Sequence, residues 1–232
     1  SQKSRFEELL GNGDEFGIKI SYKVQQKPTG IAESLILGEN FLSGDKSALV
    51  LGDNIFHGPR LGRNLESFNR VKGAQIFGYH VNDPSPYGIA TVSGDGKVTN
   101  LEEKPRNSES KIAIPGLYFF DNTVLEKARK VKMSSRGELE ITSVLSMYLE
   151  ANNLKLKVLP RGTAWLDCGT SESLNDASNY IRVVEERQGL KVSCPEEIAW
   201  RNGWITTEAL EALATSYGKS EYADYLHRIL LH

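Results

Sequence analysis

Two aspartates stand where hydrophobic runs stop. Asp53 follows the apolar residues of LVLGDN, and Asp167 closes the AWLD of AWLDCGT. In α/β sheets ligands gather beyond the carboxyl ends of strands. A carboxylate there, beside a glycine that lets backbone approach closely, suits a magnesium ion, which takes oxygen ligands in an octahedron. Each aspartate alone reads equally well as a residue capping a turn. Two at strand ends favour a shared metal, with phosphate oxygens and water completing the shell. Lys104, in LEEKP, sits at another strand end with Pro105 stopping the strand behind it. A lysine held there is a point-charge partner for a phosphate, although most single lysines are simply solvated. Glu103 beside it either bonds sugar hydroxyls or faces water.

A second group suits recognition. Gln25 precedes the bend QKPTG. A primary amide offers a donor and an acceptor and can pair with the N3–H and O4 edge of thymine or uracil. Gly30 lets a base or sugar lie against the backbone, and the helix expected from Ile31 turns its first amides toward the same region. An ordinary polar loop fits the spacing as well. Tyr87 and Gly88, in DPSPYGIA, form either a wall for a sugar ring or a plain turn. Arg136, in SSRGELEIT, is placed to meet an anionic or hydroxyl-rich ligand. Glu138 and Glu140 suit the positive end of the helix that follows. Cys168 and Cys194 form no CxxC pair and have no neighbouring histidine, so they read as free thiols of a reducing compartment rather than a zinc site.

The elements that must carry these groups follow from periodicity. A helix ends with Phe6, Leu9 and Leu10 before Gly11. The alternation of IKISYKV predicts a strand at 18–24. Ile31, Ala32, Leu35 and Ile36 predict a short helix. SALVLG reads as a strand covered on both faces of a parallel sheet. Leu61, Leu65, Phe68 and Val71 predict a helix, and AQIFGYHV another strand. This alternation argues for crossover helices and an α/β sheet. Segments 88–94, 97–104 and 112–120 predict a mixed or antiparallel addition. Helices around 124–131 and 141–149, a strand at LKVLP, and a long helix capped by Thr170 and ending by Gly189 come next. Two further helices fall at roughly 206–216 and 221–231. The fold class expected is α/β, a mostly parallel mixed sheet flanked by helices, with residues 1–189 as the α/β domain and 190–232 as a C-terminal helical segment.

With 232 residues, 39% hydrophobic and 25% charged, the composition is that of a soluble globular chain. A formal net charge of −2 lacks the basic excess of general nucleic-acid binders. No apolar run approaches the ~20 residues that span a bilayer, and the first residues carry no signal-peptide core. A cytoplasmic location is therefore expected.

Taken in order, VQQKPTGIAES, ALVLGDN, PYGIA, LEEKP, PGLYFFD, SSRGELEITSV, AWLDCGT and CPEEIA resemble the bacterial glucose-1-phosphate thymidylyltransferases, a family of sugar-nucleotide pyrophosphorylases with a Rossmann-like fold. Each motif is weak alone; the ordered set, spread over essentially the whole chain, is specific. The resemblance implies that dTTP and glucose 1-phosphate give dTDP-glucose and pyrophosphate, feeding dTDP-rhamnose and deoxysugar synthesis. It implies Mg2+ held by Asp53 and Asp167, which with Lys104 form the catalytic set. It implies base recognition by Gln25 and Gly30, and a ligand to the sugar phosphate in Lys104. Tyr87, Gly88, Glu103 and Ile114 are implied as the sugar pocket, with Arg136 close by. A homotetramer is implied, as is a regulatory nucleotide-sugar site near Glu196, Glu197 and Ile198. The family opens with a strand and a G-G-x-G-T-R-L loop that cradles the triphosphate; residues 1–232 contain no such loop. The resemblance is thus to a family member truncated at its N-terminus, lacking the first strand, loop and helix. A non-catalytic nucleotide-sugar-binding or assembly subunit is the rival class. Within the enzyme reading, UTP or another sugar 1-phosphate remain alternatives. A glycosyltransferase also places an aspartate at a strand end, but the LEEKP lysine and RGELEIT segment argue against it.

Overall fold

A computed structural model describes residues 2–59 and 61–231. In chain order the elements are α1 (Lys3–Leu10), α2 (Ala32–Leu37), α3 (Glu39–Leu42), β1 (Ser47–Val50), β2 (Asn54–His57) and α4 (Leu61–Glu66), which continues as one 3-10 turn, Ser67–Arg70. Strands β3 (Ala74–His80), β4 (Gly88–Val92), β5 (Val98–Glu103), β6 (Ile112–Ala113) and β7 (Leu117–Phe120) follow. Then come α5 (Val124–Ala128), α6 (Ile141–Glu150), β8 (Leu154–Val158), β9 (Ala164–Asp167) and α7 (Ser171–Gln188). The C-terminal helices are α8 (Pro195–Arg201), α9 (Thr207–Ser216) and α10 (Glu221–Ile229). The capping signals in the sequence act as expected: Thr170 Oγ1 accepts from Ser173 N–H, Thr206 Oγ1 from Ala209 N–H, and Ser220 Oγ from Ala223 N–H.

Contacts group the chain into two compact units, residues 25–177 and residues 1–24 with 178–232. The N-terminal helix therefore groups with the C-terminal helices. In the unit of residues 25–177 the strand order is β1-β7-β3-β6-β4-β5, with β8 beside β3. A separate two-stranded ladder joins β2 and β9.

The expectation of a mostly parallel sheet is overturned: among the described residues only β3 and β8 pair in parallel, and every other ladder is antiparallel. At the β1 edge the cause is one insertion. β1 and β3 run in the same direction, as strand–helix–strand rhythm predicts, but β7 lies between them and pairs antiparallel to both. The reading of SALVLG as a strand buried on both faces also fails. Ala48 and Val50 face outward while Ser47 and Leu49 pack inward. The alternating segment 18–24 forms no ladder among the described residues; its side chains alternate in exposure from Lys19 to Val24, but no strand pairs with it.

The centre of the sheet is covered on both faces, which is why AQIFG in β3 and LYFF in β7 are buried without alternation. Ile76, Tyr118 and Phe120 pack with Val144, Leu145 and Tyr148 of α6. Phe77, Leu117 and Phe119 pack the other way, against Leu65 and Phe68. These two layers fix β7 and α6, whose ends carry part of the site. In the other unit Leu210, Ala214, Leu226 and Ile229 bring α9 and α10 together.

Candidate active site

The β2–β9 ladder brings the two predicted aspartates to one place. Asn54 pairs with Asp167 across it, so Asp53, one residue before β2, lies beside the end of β9. The Cys168 N–H donates to the Asp53 carbonyl at 2.8 Å, closing the turn. Both carboxyl groups face Gly169: a methyl group on that residue would lie 3.2 Å from Asp167 Oδ1 and 3.9 Å from Asp53 Oδ2. A glycine thus keeps clear the space that both acids look into.

Among the described residues each acid is held by one hydrogen bond. Asn54 Nδ2 donates to Asp53 Oδ1 at 2.8 Å, and Gly169 N–H to Asp167 Oδ1 at 3.1 Å. Among the described residues no lysine or arginine pairs with either carboxylate. Two anions facing one point repel unless a cation joins them. This donor set fits a hard divalent ion that takes oxygen ligands. No group of three metal-binding side chains gathers among the described residues, so the remaining ligands would have to come from phosphate oxygens and water.

Asn54 is a residue that sequence reasoning missed. Its Oδ1 accepts from Trp165 Nε1–H at 2.7 Å and from Gly116 N–H at 2.9 Å, while its amino group serves Asp53. Both partners of Oδ1 are pure donors and the partner of Nδ2 is an acceptor, so the amide has a single orientation. One side chain thereby ties Asp53, the aromatic Trp165 and the β6–β7 turn together.

These groups open into a cavity of about 210 Å³, smaller than the ~300–1,000 Å³ of pockets for drug-sized ligands and scaled to part of a large substrate. The structure brings Asp53, Asp167, Lys104 and Glu103 to its walls, together with Tyr87, Gly88 and Ile114. Tyr87 packs on Trp165 with ring centroids 4.9 Å apart. A methyl group on Gly88 would sit 3.2 Å from Thr142 Cγ2 and 3.5 Å from Glu103 Oε2, so the missing side chain keeps this wall open. Lys104 adopts φ 43°, a left-handed conformation that non-glycine residues rarely take and that concentrates at functional sites. Its N–H donates to the Tyr87 carbonyl at 3.1 Å, which anchors the turn after β5.

Burial pushes the Glu103 carboxyl up from its ordinary value and neighbouring Glu140 adds to this. The 3.0 Å bond from Thr142 Oγ1 and the charges of Lys104 and Arg136 oppose it. Arg136 lies outside the lining. Its guanidinium reaches Glu103 at 3.4 Å, Glu138 at 3.2 Å and Glu140 at 3.8 Å. Arg136 therefore orients Glu103 from behind.

Tyr118 and Thr142 also line the cavity and were hidden in the sequence, because LYFF and EITSV read as core. Tyr118 is 3% exposed, and no described residue bonds its hydroxyl. Burial, then the charges of Glu103 and Asp53, push its ionisation upward, so it stays a neutral hydroxyl able to meet a ligand.

Gln25 and Gly30 lie on the loop before α2, outside the lining, though Ile31 is part of it. Gly30 has φ 110°, and a methyl group there would come within 2.4 Å of the Leu139 carbonyl oxygen. Glycine is needed here for the close pass of residues 29–32 beside Leu139: Leu139 N–H donates to Thr29 and Ala32 N–H to Leu139. The side of Gly30 that lacks a side chain is filled by Leu139, not left for a base.

Glu196, Glu197 and Ile198 belong to α8 in the other unit. Glu196 is 3% exposed and accepts from Tyr217 at 2.7 Å, Tyr222 at 2.5 Å and Cys194 at 3.5 Å. Glu197 accepts from Arg201 Nε at 2.6 Å and from the Tyr225 hydroxyl.

A family model described as nucleotidyl transferase matches residues 1–183. The chain is 50% identical over 225 residues to the glucose-1-phosphate thymidylyltransferase of Mycolicibacterium smegmatis, covering 97% of this chain and 78% of that protein. It is 45% identical over 226 residues to the enzyme of the same name from Neisseria meningitidis, again covering 97% and 78%. Among solved structures, one described as a glucose-1-phosphate thymidylyltransferase from Bacillus anthracis, in complex with sucrose, superposes with a TM-score of 0.68. It is 36% identical, covering 76% of this chain and 71% of that one. A UDP-glucose pyrophosphorylase complexed with UDP-glucose, 20% identical with a TM-score of 0.59 over 69% and 65% of the two chains, shares the fold.

Proposed function

Since the chain belongs to the glucose-1-phosphate thymidylyltransferase family of nucleotidyl transferases, we propose that its cavity is where the phosphate of glucose 1-phosphate meets the α-phosphate of dTTP. The observation that carries this is the convergence of Asp53 and Asp167 on Gly169, with no basic partner among the described residues, beside a lysine in a left-handed turn.

The reaction joins two anions. A phosphate oxygen of glucose 1-phosphate attacks the α-phosphorus of dTTP, the P–O bond to the β-phosphate breaks, and pyrophosphate leaves with the electron pair. The attacking oxygen is already ionised at neutral pH, so no general base is needed. The chain must hold two phosphates close and in line while offsetting their charge. Lys104 supplies a fixed positive charge to the sugar phosphate. Glu103, oriented by Thr142 and Arg136, accepts hydrogen bonds from sugar hydroxyls. Tyr87, Gly88 and Ile114 shape the wall behind the ring, and the Tyr118 hydroxyl is a further donor. Gln25 meets the pyrimidine edge. Mg2+ is the ion we assign to Asp53 and Asp167; when bound it supplies charge neutralisation at the phosphate oxygens.

The reading extends to a cytoplasmic homotetramer, in keeping with the absence, among the described residues, of any helix long and apolar enough to cross a membrane. A regulatory role for Glu196 and Glu197 draws less support, since tyrosine, cysteine and arginine donors already take up their oxygens.

The test is pyrophosphate release measured across four deoxynucleoside triphosphates and several sugar 1-phosphates with Mg2+. The highest kcat/KM is expected for dTTP with glucose 1-phosphate. A best pair lacking either substrate would contradict the assignment.

A further inference from the structure

The loop before α2 contains a donor–acceptor arrangement that fixes how one amide faces outward. Gln25 Nε2 lies 3.1 Å from the Gly30 carbonyl oxygen and 2.5 Å from Glu33 Oε2. A carbonyl and a carboxylate only accept, so the amino half of the amide must lie against them, and its two N–H bonds are used there. The Thr29 hydroxyl donates to the same Glu33 oxygen. Hydrogen bonds from Thr29 and Gln25 hold the Glu33 carboxyl below its ordinary range, which keeps it an acceptor at neutral pH. The outward half of the amide is the Gln25 carbonyl Oε1, to which no described residue donates.

We infer that Glu33 is a specificity-setting positioning residue: it holds the Gln25 amide so that an acceptor alone faces the nucleotide, selecting pyrimidines that carry an N3–H. Thymine and uracil are imides and offer that donor. Cytosine presents a lone pair at the same ring position and is turned away. A freely rotating amide would serve both, since half a turn exchanges its acceptor for its donor. Nε2 also lies 3.4 Å from the Thr29 hydroxyl, which can donate as well as accept and so leaves the orientation open; the pure acceptors that prevent the turn are Glu33 and the Gly30 carbonyl, and of these only Glu33 is a side chain. This inference rests on the reading that Gln25 meets the base.

Isothermal titration calorimetry of the full chain with dTTP, dUTP and dCTP tests it. The wild-type chain should bind dTTP and dUTP at least about tenfold more tightly than dCTP, the scale of one charge-supported hydrogen bond. Glu33→Ala should bring that preference to within about threefold by letting the amide turn, while glucose 1-phosphate binds as before. Glu33→Gln should keep most of the preference, because its amide oxygen can still accept from Gln25. Glu33 lies half-buried on a helix surface, where alanine is well tolerated. A wild-type preference retained in full by Glu33→Ala would remove Glu33 from base selection and leave the role of Gln25 standing. Equal binding of all three nucleotides by the wild-type chain, or a preference that survives Gln25→Ala, would overturn the base reading and this inference with it.

Discussion

Among the described residues Asp53 and Asp167 each accept one hydrogen bond and have no basic partner, whereas Glu196 accepts from two tyrosines and a cysteine, and Glu197 from a tyrosine and an arginine. A carboxylate has about four sites at which it can accept. In the C-terminal helices the protein takes about three of those sites on Glu196 and two on Glu197, and the acids tie α8, α9 and α10 together. At the β2–β9 ladder they are left open and aimed at a glycine. The difference teaches that acidic residues in a motif carry binding capacity only where the fold leaves their oxygens unsatisfied.

The largest effect expected is on catalysis. Asp167→Asn removes one of the two charges and should lower pyrophosphate release roughly 10³-fold, with the far-ultraviolet circular dichroism melt unchanged. Near-normal turnover would break the comparison, because the open acid would then be as idle as a saturated one. Glu196→Ala should act on stability instead. It removes the acceptor shared by the hydroxyls of Tyr217, which is partly exposed, and Tyr222, which keeps Cys194 as a partner, and should cost about 1–2 kcal/mol in urea unfolding. Stability within error of the wild type would mean that the saturated cluster ties nothing together.

Asn54→Asp sharpens the boundary between the two kinds of acid. It keeps an acceptor for Trp165 and Gly116 but places a third carboxylate at the Nδ2 position, 2.8 Å from Asp53. Steady-state kinetics should show a roughly 10–100-fold loss in kcat/KM. An unaltered value would show that Asp53 needs no such support. Tyr118→Phe should have the smallest effect, about a fivefold rise in KM for glucose 1-phosphate with little change in kcat. An unchanged KM would place that hydroxyl away from the sugar.

Much of the site was legible because its charged members lie at strand ends marked by composition. Asp53 follows an apolar run, Lys104 precedes a proline, and Asp167 follows AWL; all three reach one cavity. What stayed hidden were polar atoms inside apolar segments. Nothing in PGLYFFD separates Tyr118, whose hydroxyl enters the cavity, from Phe119, which packs on the other face of the sheet. Asn54 gave no signal because two of its three partners, Trp165 and the Gly116 backbone, lie far away in sequence, and adjacency to Asp53 alone does not show a bond. For the fold, periodicity located most elements but not their neighbours. A run such as LYFF says that a strand is covered on both faces, yet not that it will insert between β1 and β3 and reverse the pairing. The segment 18–24 alternates like a strand but has no ladder, since alternation describes the two sides of a chain and not what bonds its edges.

The most direct measurement is manganese binding, followed by the electron paramagnetic resonance signal of the free ion, in the wild type and in Asp53→Asn, Asp167→Asn and Glu196→Gln. The account predicts that each aspartate variant weakens the ion's affinity by more than about tenfold, while Glu196→Gln titrates like the wild type. If both aspartate variants bind manganese as tightly as the unaltered chain, these carboxylates do not form a metal site, and the assignment of the cavity to phosphate chemistry loses its support.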